Sequence, residues 1–292
     1  MTIGALYQEL KGAAVEIYGA LEGQQVARIL LEEIWGIDKM QLMTNREGEV
    51  DTTCHPELDS GSLMRQQLEK VVADLKLARP IQYIIGEADF CDLRLKVREG
   101  CLIPRPESEE LVRWIAQSNL EPRRILDVGT GSGALAIALQ RHYPDAEVTA
   151  LDVSDDALEI AAQNVAELAP RVKLVEGDAL AGVERFVEGE FDLVVSNPPY
   201  IPQSEIAQMR ANVVEHEPHL ALFVADHDPL LFYRKIAQSG MVLLRIGGAI
   251  FYEVHENFAQ QTAEMLEGLG YMDVEVRRDI NDKARMVCGT RR

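Results

Sequence analysis

Four consecutive residues, Asn197-Pro198-Pro199-Tyr200, have the chemistry to hold a flat amino group. They follow an apolar run of strand composition that begins at Phe191. Neither proline has a backbone N–H, and each restricts the preceding residue to extended conformations. The side-chain oxygen of Asn197 and the carbonyl of Pro198 can accept the two hydrogens of an NH2 group, while Tyr200 offers a ring to stack on it. The alternative is a proline turn that only ends a buried strand.

A glycine-rich turn lies upstream, between a predicted strand and a predicted helix. Its sequence is Asp127-Val128-Gly129-Thr130-Gly131-Ser132-Gly133. Glycines let the backbone turn sharply and let a ligand approach closely. The GxGxG spacing differs from the GxGxxG of dinucleotide folds, and no lysine follows the last glycine as it would in a P-loop. A turn with a purely structural role is the alternative.

Two acidic residues follow the next two predicted strands. Asp152 comes about 20 residues after the first glycine, where a carboxylate can accept both hydroxyls of a ribose. Asp178 follows the third strand, where it can accept a hydrogen bond from an adenine amino group. Either acid alone is typical of a helix cap or a solvated turn. Together with the glycine turn and Asn197, they predict a nucleoside bound along the carboxyl edge of a parallel sheet.

S-adenosylmethionine fits this pattern better than a nicotinamide dinucleotide. The glycine spacing is one reason. Asp127 is another, because its carboxylate could hold the methionine ammonium directly or through water. A sulfonium also tolerates an acidic site, whereas a pyrophosphate does not. We therefore expect S-adenosylmethionine as the cofactor and S-adenosylhomocysteine as the product.

Alternating strand and helix patterns from residue 123 onward indicate an α/β domain with a mostly parallel sheet. The predicted strands are Arg124 to Val128, Glu147 to Asp152, Val172 to Glu176, a run ending at Ser196, Gly248 to Val254, and an antiparallel pair, Tyr271 to Arg277 with Arg285 to Thr290. Helices are predicted over 154–168, 229–244 and 256–268, with polar helical structure over 204–215 and a helix start at Pro106 or Glu107.

Residues 1–78 have helical hydrophobic spacing and predict a small domain of four or five helices, in which Gly36 is a C-cap. The polar stretch from Asn45 to Ser60 predicts a loop. A linker over residues 79–104 contains a predicted hairpin, since Phe90 to Val97 alternates with the period of a half-exposed strand. Residues 105–292 form the sheet-bearing domain. A DNA-binding helix-turn-helix is disfavoured because the helical segment is not basic.

The net charge of the chain helps to predict which kinds of molecule it binds. The chain has 48 acidic and 29 basic residues, a formal net charge of −19. Because Lys and Arg supply most non-specific affinity for phosphates, no direct nucleic-acid partner is expected. The cysteines (Cys54, Cys91, Cys101 and Cys288) show no CxxC pairing and the histidines no ligand spacing, so we expect neither a metal nor disulfides. With no secretory signal and no apolar stretch of about 18–20 residues, we expect a cytoplasmic protein without a membrane partner.

The motifs resemble those of a known family. Asp127 to Gly133 with Asp152 is similar to class I S-adenosylmethionine-dependent methyltransferases, and Asn197 to Tyr200 resembles the [DNS]-P-P-[YFW] motif of enzymes that methylate exocyclic or amide nitrogens. Gln82 to Gly86 and Ile103 to Glu109 narrow the resemblance to the protein-(glutamine-N5) methyltransferases of the HemK/PrmC type. It covers nearly the whole chain.

The resemblance implies a Rossmann-like methyltransferase domain and a helical domain that recognises the substrate. The implied reaction methylates the side-chain amide of the glutamine in the Gly-Gly-Gln loop of peptide-chain release factors. The implied catalytic residues are Asn197, Pro198 and Tyr200, joined in substrate binding by Pro199, Arg105 and Glu107. The implied cofactor site comprises Asp127, Gly129, Thr130, Gly131, Ser132, Gly133, Asp152, Asp178, Ala179 and Asn197.

The sequence departs from the family's pattern in three places. Ser108 stands where Thr is usual and keeps the hydroxyl. Ala179 stands where some members carry Trp, which removes an aromatic wall from the predicted adenine site. Glu253-Val254-His255 replaces a more usual Glu-Ile-Gly. None of these changes touches the residues from Asn197 to Tyr200.

Two other functions remain open. One is an N-methyltransferase acting on an exocyclic amino group of adenine or guanine in nucleic acid, which would need a basic groove. The other is a non-enzymatic module with a relic nucleotide pocket, disfavoured by the polar groups at all four strand ends. The loop that contains His216 to His219 and Asp226 to Asp228 is predicted to be a solvated connection, with a lid over the substrate as the alternative.

Overall fold

Two units make up the part of the chain described by the computed structural model, residues 1–50 and 61–292. The helical unit comprises Met1–Gly86 and Arg210–His216, and the sheet unit comprises Glu87–Met209 and Glu217–Arg292. The division at Gly86 falls inside the predicted linker. The predicted loop from Asn45 to Ser60 lies mostly outside the described residues, as do Cys54 and His55.

Helices pack around one apolar core in the helical unit. They are α1 (Ile3–Trp35), α2 (Lys39–Thr44), α3 (Gly61–Lys76) and α4 (Ile81–Ile85). The Thr2 hydroxyl caps the start of α1, and Gly36 ends it with a φ of 66°, as predicted for a C-cap. α1 bends at Gly19, whose φ of 78° and ψ of 176° suit only glycine. Fully buried core residues include Leu6, Leu10, Leu30 and Leu68.

A hairpin opens the sheet unit, with strands β1 (Glu87–Phe90) and β2 (Leu93–Lys96) paired antiparallel. The predicted hairpin is present, but the half-exposed strand predicted from Phe90 to Val97 begins only at Leu93, because the chain turns at Cys91 and Asp92. Their φ values of 50° and 60° give the left-handed pair that lets a two-residue turn match the twist of its strands. The alternation of apolar and polar residues continues through the turn, so the period alone does not reveal it.

A seven-stranded sheet forms the centre of this unit. The further strands are β3 (Arg124–Val128), β4 (Glu147–Asp152), β5 (Lys173–Glu176), β6 (Phe191–Ser196), β7 (Ile201–Pro202), β8 (Phe223–Val224), β9 (Leu244–Glu253), β10 (Tyr271–Arg278) and β11 (Ala284–Arg291). The order in the main sheet is β10-β11-β9-β6-β3-β4-β5, and β7 pairs with β8 separately. Neighbours from β9 to β5 are parallel, and β11 is antiparallel to both β9 and β10. The predicted α/β fold with an antiparallel C-terminal strand is confirmed.

Helices cover both faces of the sheet. They are α5 (Pro106–Gln117), α6 (Ala134–His142), α7 (Asp155–Leu168), α10 (Leu231–Leu243) and α11 (Ala259–Leu269). Of two short helices, α8 (Ala211–Val214) lies in the segment that joins the helical unit, and α9 (His219–Leu222) follows that segment. Alternate residues of β6 enter different cores: Leu193 and Val195 pack with α5 and α6, and Val194 packs with α10 and α11. The sheet is therefore buried on both sides, as parallel sheets require.

The strand register brings the predicted motifs to one edge. Val128 at the end of β3 lies opposite both Leu151 of β4 and Ser196 of β6, and Ser196 lies opposite Tyr252 of β9. The residues that follow these positions thus meet at the carboxyl edge of the sheet. Within residues 1–50 and 61–292, no helix is long and apolar enough to cross a membrane.

Candidate active site

A cavity opens along this carboxyl edge, with a volume of about 1030 Å³ that includes the part open to solvent. Most of the sequence-predicted site residues line it: Gly129, Thr130, Gly131, Ser132, Asp152, Asp178, Ala179, Asn197, Pro198 and Pro199. The other predicted residues, Asp127, Gly133, Tyr200, Arg105 and Glu107, are not among the residues that line it. All of the lining residues belong to the sheet unit.

The glycine turn forms one wall of the cavity. Gly129 and Gly131 have φ values of 76° and 57°, which other residues adopt only with strain. A Cβ added at either position would meet no protein atom within 4 Å. The backbone N–H of Gly131 donates to Asp152 Oδ2 at 2.8 Å, which ties the turn to the end of β4. The turn therefore combines a left-handed backbone with open space, a combination that suits close approach of a ligand.

Asp152 and Asp178 are held by backbone donors at the ends of β4 and β5. Asp152 Oδ1 accepts from the N–H of Ser154 at 3.0 Å, and burial raises the pKa of this carboxyl. Asp178 Oδ1 accepts from the N–H of Leu180 at 2.8 Å. Each carboxylate oxygen can accept more than one hydrogen bond, so both acids can still receive donors from a ligand in the cavity. Asp178 also caps the short 3-10 helix Ala179–Ala181, whereas the cap of α7 is Ser154 and not Asp152.

Phe232 is a cavity residue that the sequence did not reveal. It lies on α10, at the end facing the cavity, and lines it together with Ala179. Its contribution was hidden because α10 has an ordinary helical apolar pattern and lies more than fifty residues from Ala179 in the sequence. An aromatic ring is thus present in the cavity although position 179 carries alanine.

Asp127 lies beneath the glycine turn and is fully buried. Its Oδ2 accepts from Thr130 Oγ1 at 2.6 Å and from the N–H of Ala136 at 3.2 Å. Its Oδ1 has no hydrogen-bond partner in the described structure. Burial raises the pKa of Asp127 to about 7, against the hydrogen bonds from Thr130 and Ala136, which lower it. An unpaired buried oxygen of this kind would be stabilised by a nearby positive charge.

The Asn197 side chain is fixed by a network of hydrogen bonds behind the cavity wall. Its Nδ2 donates to Ser108 Oγ at 3.1 Å. Ser108 Oγ donates to Glu253 Oε2 at 2.5 Å, and Tyr200 OH donates to Glu253 Oε1 at 3.0 Å. Glu253 therefore ties together the start of α5, the turn after β6 and the end of β9.

Glu253 is the main functional residue that sequence reasoning missed. Its side chain is buried, with 1% of the residue exposed. Burial raises its pKa, while the hydrogen bonds from Ser108 and Tyr200 and the charge of Arg285 lower it. The signal was present but weak: Glu253 ends β9, the strand beside β6, and strand ends at this edge carry the other polar groups. Its partners Ser108 and Tyr200 are distant in sequence, so no local spacing connects them.

Arg105 and Glu217 join the segment before α5 to the segment that supplies the lining residues Pro218, Leu220 and Ala221. Glu217 Oε1 accepts from Arg105 Nη2 at 2.5 Å, and Oε2 accepts from the N–H of Ile103 at 3.1 Å. The prediction of a solvated connection is wrong at Glu217, which is only 4% exposed. A carboxylate can be buried there because both of its oxygens are paired. The following residues Pro218, Leu220 and Ala221 line the cavity.

Metal chemistry finds no ligand set in the described part of the chain. No group of three or more His, Cys, Asp or Glu side chains within it could hold a metal ion. Burial raises the pKa of the thiols of Cys91, Cys101 and Cys288. Raised thiol pKa values disfavour the nucleophilic thiolate, so these cysteines are not suited to covalent catalysis.

Comparison with known proteins agrees with this geometry. The chain is 38% identical over 276 residues to the release factor glutamine methyltransferase of Bacteroides thetaiotaomicron, which covers 94% of this chain and 95% of the relative. It is 41% identical over 243 residues to that of Flavobacterium psychrophilum (82% and 85% covered) and 34% identical over 297 residues to that of Clostridium acetobutylicum (97% and 99% covered).

The family described as Methyltransferase small domain matches residues 107–220. This range contains the glycine turn, both strand-end acids and the turn at Asn197. The fold, the site and the relatives therefore agree on the class of enzyme, a methyltransferase. The chain belongs to the family of release factor glutamine methyltransferases.

Proposed function

We propose that the protein transfers a methyl group from S-adenosylmethionine to the side-chain amide N5 of the glutamine in the Gly-Gly-Gln loop of peptide-chain release factors. The observation that carries this proposal is Asn197, which lines the cavity beside the glycine turn with its amide nitrogen bonded to Ser108. Its oxygen is thereby left to accept a hydrogen from a substrate amide. Curated relatives that span nearly the whole chain are named for the same modification.

The chemistry of the cavity fits S-adenosylmethionine. In this proposal Asp152 accepts the ribose hydroxyls, Asp178 accepts from the adenine amino group, and Phe232 contributes apolar contact. Asp127 holds negative charge beneath the turn, where its unpaired Oδ1 favours a cationic methionine ammonium. When bound, S-adenosylmethionine supplies a methyl group on a sulfonium and leaves as S-adenosylhomocysteine.

The turn at Asn197 can position a weakly nucleophilic amide nitrogen for methyl transfer. A carboxamide nitrogen is a poor nucleophile because its lone pair is delocalised. Asn197 Oδ1 and the Pro198 carbonyl accept its two N–H bonds, which aims the nitrogen and stabilises the positive charge that develops on it. Such alignment can lower a barrier by about 7–11 kcal/mol. Tyr200 supports the turn from behind through its hydrogen bond to Glu253. The proton leaves to water after the N–C bond has formed.

Arg105 and Glu107 have a supporting role in this proposal. Arg105 is bonded to the buried Glu217, so it holds the segment before α5 against the residues that follow Glu217. Glu107 lies in the first turn of α5, where its charge favours the helix. Both residues thereby order the mouth of the cavity around the entering glutamine loop.

The test is mass spectrometry of a release factor incubated with the protein and S-adenosylmethionine. We expect one added methyl on the peptide that contains Gly-Gly-Gln. A parallel reaction with isotopically labelled cofactor and tRNA or rRNA addresses the nucleic-acid alternative. Label transferred to the RNA and none to the release factor would reject the proposal in favour of that alternative.

A further inference from the structure

The hydrogen bonds behind Asn197 have a direction that follows from the chemistry of their members. Glu253 accepts a hydrogen bond on each of its carboxyl oxygens, from Ser108 and from Tyr200. The single hydroxyl hydrogen of Ser108 is donated to Glu253 Oε2, 2.5 Å away. The serine oxygen then has only lone pairs to offer Asn197, so it must accept, and the group 3.1 Å away is the Asn197 NH2.

This direction leaves Asn197 one favourable orientation. Rotating its amide by half a turn would bring Oδ1 against the serine oxygen with no hydrogen between them. Glu253 cannot relieve this by turning away, because its other oxygen accepts from Tyr200 OH at 3.0 Å. The charged groups that act on Glu253 are Arg285, which favours its ionised form, and Glu107, which opposes it.

The orientation of the Asn197 amide decides which chemical groups the cavity can bind beside Asn197. With NH2 directed at Ser108, Asn197 presents an oxygen to the substrate, and the neighbouring Pro198 has only a carbonyl to offer because it lacks an N–H. Both groups are acceptors. A glutamine side chain can donate two N–H bonds to them, whereas a glutamate carboxylate would bring further oxygens and no hydrogen.

We propose that Ser108 and Glu253 are positioning residues that make the site specific for glutamine over glutamate, by holding the Asn197 oxygen toward the substrate. This inference rests on the proposed function for the identity of the substrate. It assigns the specificity to a residue on α5 and a residue on β9, neither of which lies in the turn that would contact the amide. Ser108 itself is a wall residue of the cavity.

The first test measures competition in the methylation assay at neutral pH. The competitor is a release factor whose Gly-Gly-Gln glutamine is replaced by glutamate. We expect the wild-type protein to favour the glutamine form by at least about 10-fold. Ser108→Ala should lower kcat and reduce this preference roughly 10-fold, since the Asn197 amide becomes free to rotate. Ser108→Thr, which keeps the hydroxyl, should restore both.

Ser239→Ala is the matched control. Ser239 is another buried serine, whose hydroxyl accepts from the N–H of Val183 and which does not line the cavity. Its loss should leave the preference for glutamine unchanged. The proposal is overturned if Ser108→Ala discriminates as well as the wild-type protein, or if Ser108→Thr behaves like Ser108→Ala.

The second test needs no substrate, so it stands even if the proposed function fails. In 15N-labelled protein, the Asn197 side-chain signals are assigned by their absence from Asn197→Ala. We expect slowed hydrogen exchange for the Asn197 NH2 in the wild-type protein and in Ser108→Thr. If the Asn197 NH2 of the wild-type protein exchanges hydrogen as fast as the NH2 of an exposed asparagine, the fixed orientation is refuted, whatever the rate in Ser108→Ala. If the Asn197 NH2 exchanges slowly but the wild-type protein does not methylate a release factor, the proposed function is rejected and the fixed orientation of Asn197 stands.

Discussion

Asn197 owes its proposed chemistry to two features that act together: an oxygen that can face the cavity, and a turn stiffened by two prolines. Asn197→Ala removes the oxygen and keeps the turn. We expect turnover to fall by at least ~100-fold, because one preorganised acceptor for developing charge is lost. Cofactor affinity, measured by calorimetry, should change much less. Near-wild-type turnover in this variant would show that Asn197 does not hold the reacting amide.

The buried carboxyl of Asp127 makes stability depend on pH in an unusual direction. Its pKa is raised to about 7 in the folded protein because of burial, whereas the unfolded chain loses this proton near pH 4. Between these values the unfolded state binds fewer protons, so the free energy of unfolding falls as pH rises, by a total on the order of 4 kcal/mol from this group. Most carboxylates in hydrogen-bonded or paired sites act in the opposite direction.

Asp127→Asn isolates that contribution, because asparagine resembles the neutral acid. In the absence of ligand, we expect the variant to gain stability over the wild-type protein as pH rises from about 4 to 7, with little further change above that range. Urea unfolding at several pH values measures the difference. A difference that does not vary with pH would mean that Asp127 is already ionised at pH 4. The same substitution should weaken binding of S-adenosylmethionine, whose ammonium loses a negative partner.

At the scale of elements, the glycine turn depends on left-handed backbone at positions that line the cavity. Gly131→Ala would strain this backbone by about 1–2 kcal/mol and place a methyl group in the space that Gly131 leaves open, so cofactor affinity should fall. Gly86→Ala is the control, because Gly86 also has a left-handed φ with open space around it and is not one of the residues that line the cavity. Both variants should lose thermal stability, and only Gly131→Ala should lose cofactor affinity in calorimetry. Equal affinities would exclude the turn from the cofactor site.

Elements with a regular pattern could be predicted from the sequence. β3 and β4 have the predicted bounds. Each is a short apolar run, and the residues that flank the run mark where the strand begins and ends. The turn at Cys91 and Asp92 could not be predicted in the same way. Asp92 tolerates left-handed backbone, but Cys91 rarely adopts it, and the Asn-Gly or Asp-Gly pair that usually marks such a turn is missing.

Some residues of the candidate site could be predicted from the sequence, and others could not. The lining residues that directly follow strands were recognisable by position, as Asp152 and Asn197 illustrate, whereas Phe232 on α10 was not. Glu253 and Glu217 were not recognisable, because their roles come from partners more than a hundred residues away, Ser108 and Arg105. A charged residue that will be buried looks the same in a sequence as one that will be solvated, until its partners are known.

At the scale of the whole molecule, the net charge of −19 bears on the choice of substrate. We expect no measurable complex with tRNA or duplex DNA at physiological salt in a mobility-shift assay, because the acidic excess opposes the phosphate contacts that supply non-specific affinity. Binding in the micromolar range that weakens steeply as salt is added would contradict this. It would also reopen the possibility of a nucleic-acid substrate.

The chain leaves the sheet unit at Arg210 and returns to it at Glu217, and the intervening residues complete the helical unit. Arg210 pairs with Glu22 and His216 bonds to the carbonyl of Leu77 within that unit. During synthesis, the N-terminal helices therefore lack part of their final structure until residue 216 has emerged from the ribosome. By then β3 to β6 have already been made, so the helical unit begins first but is completed only after much of the sheet unit has emerged.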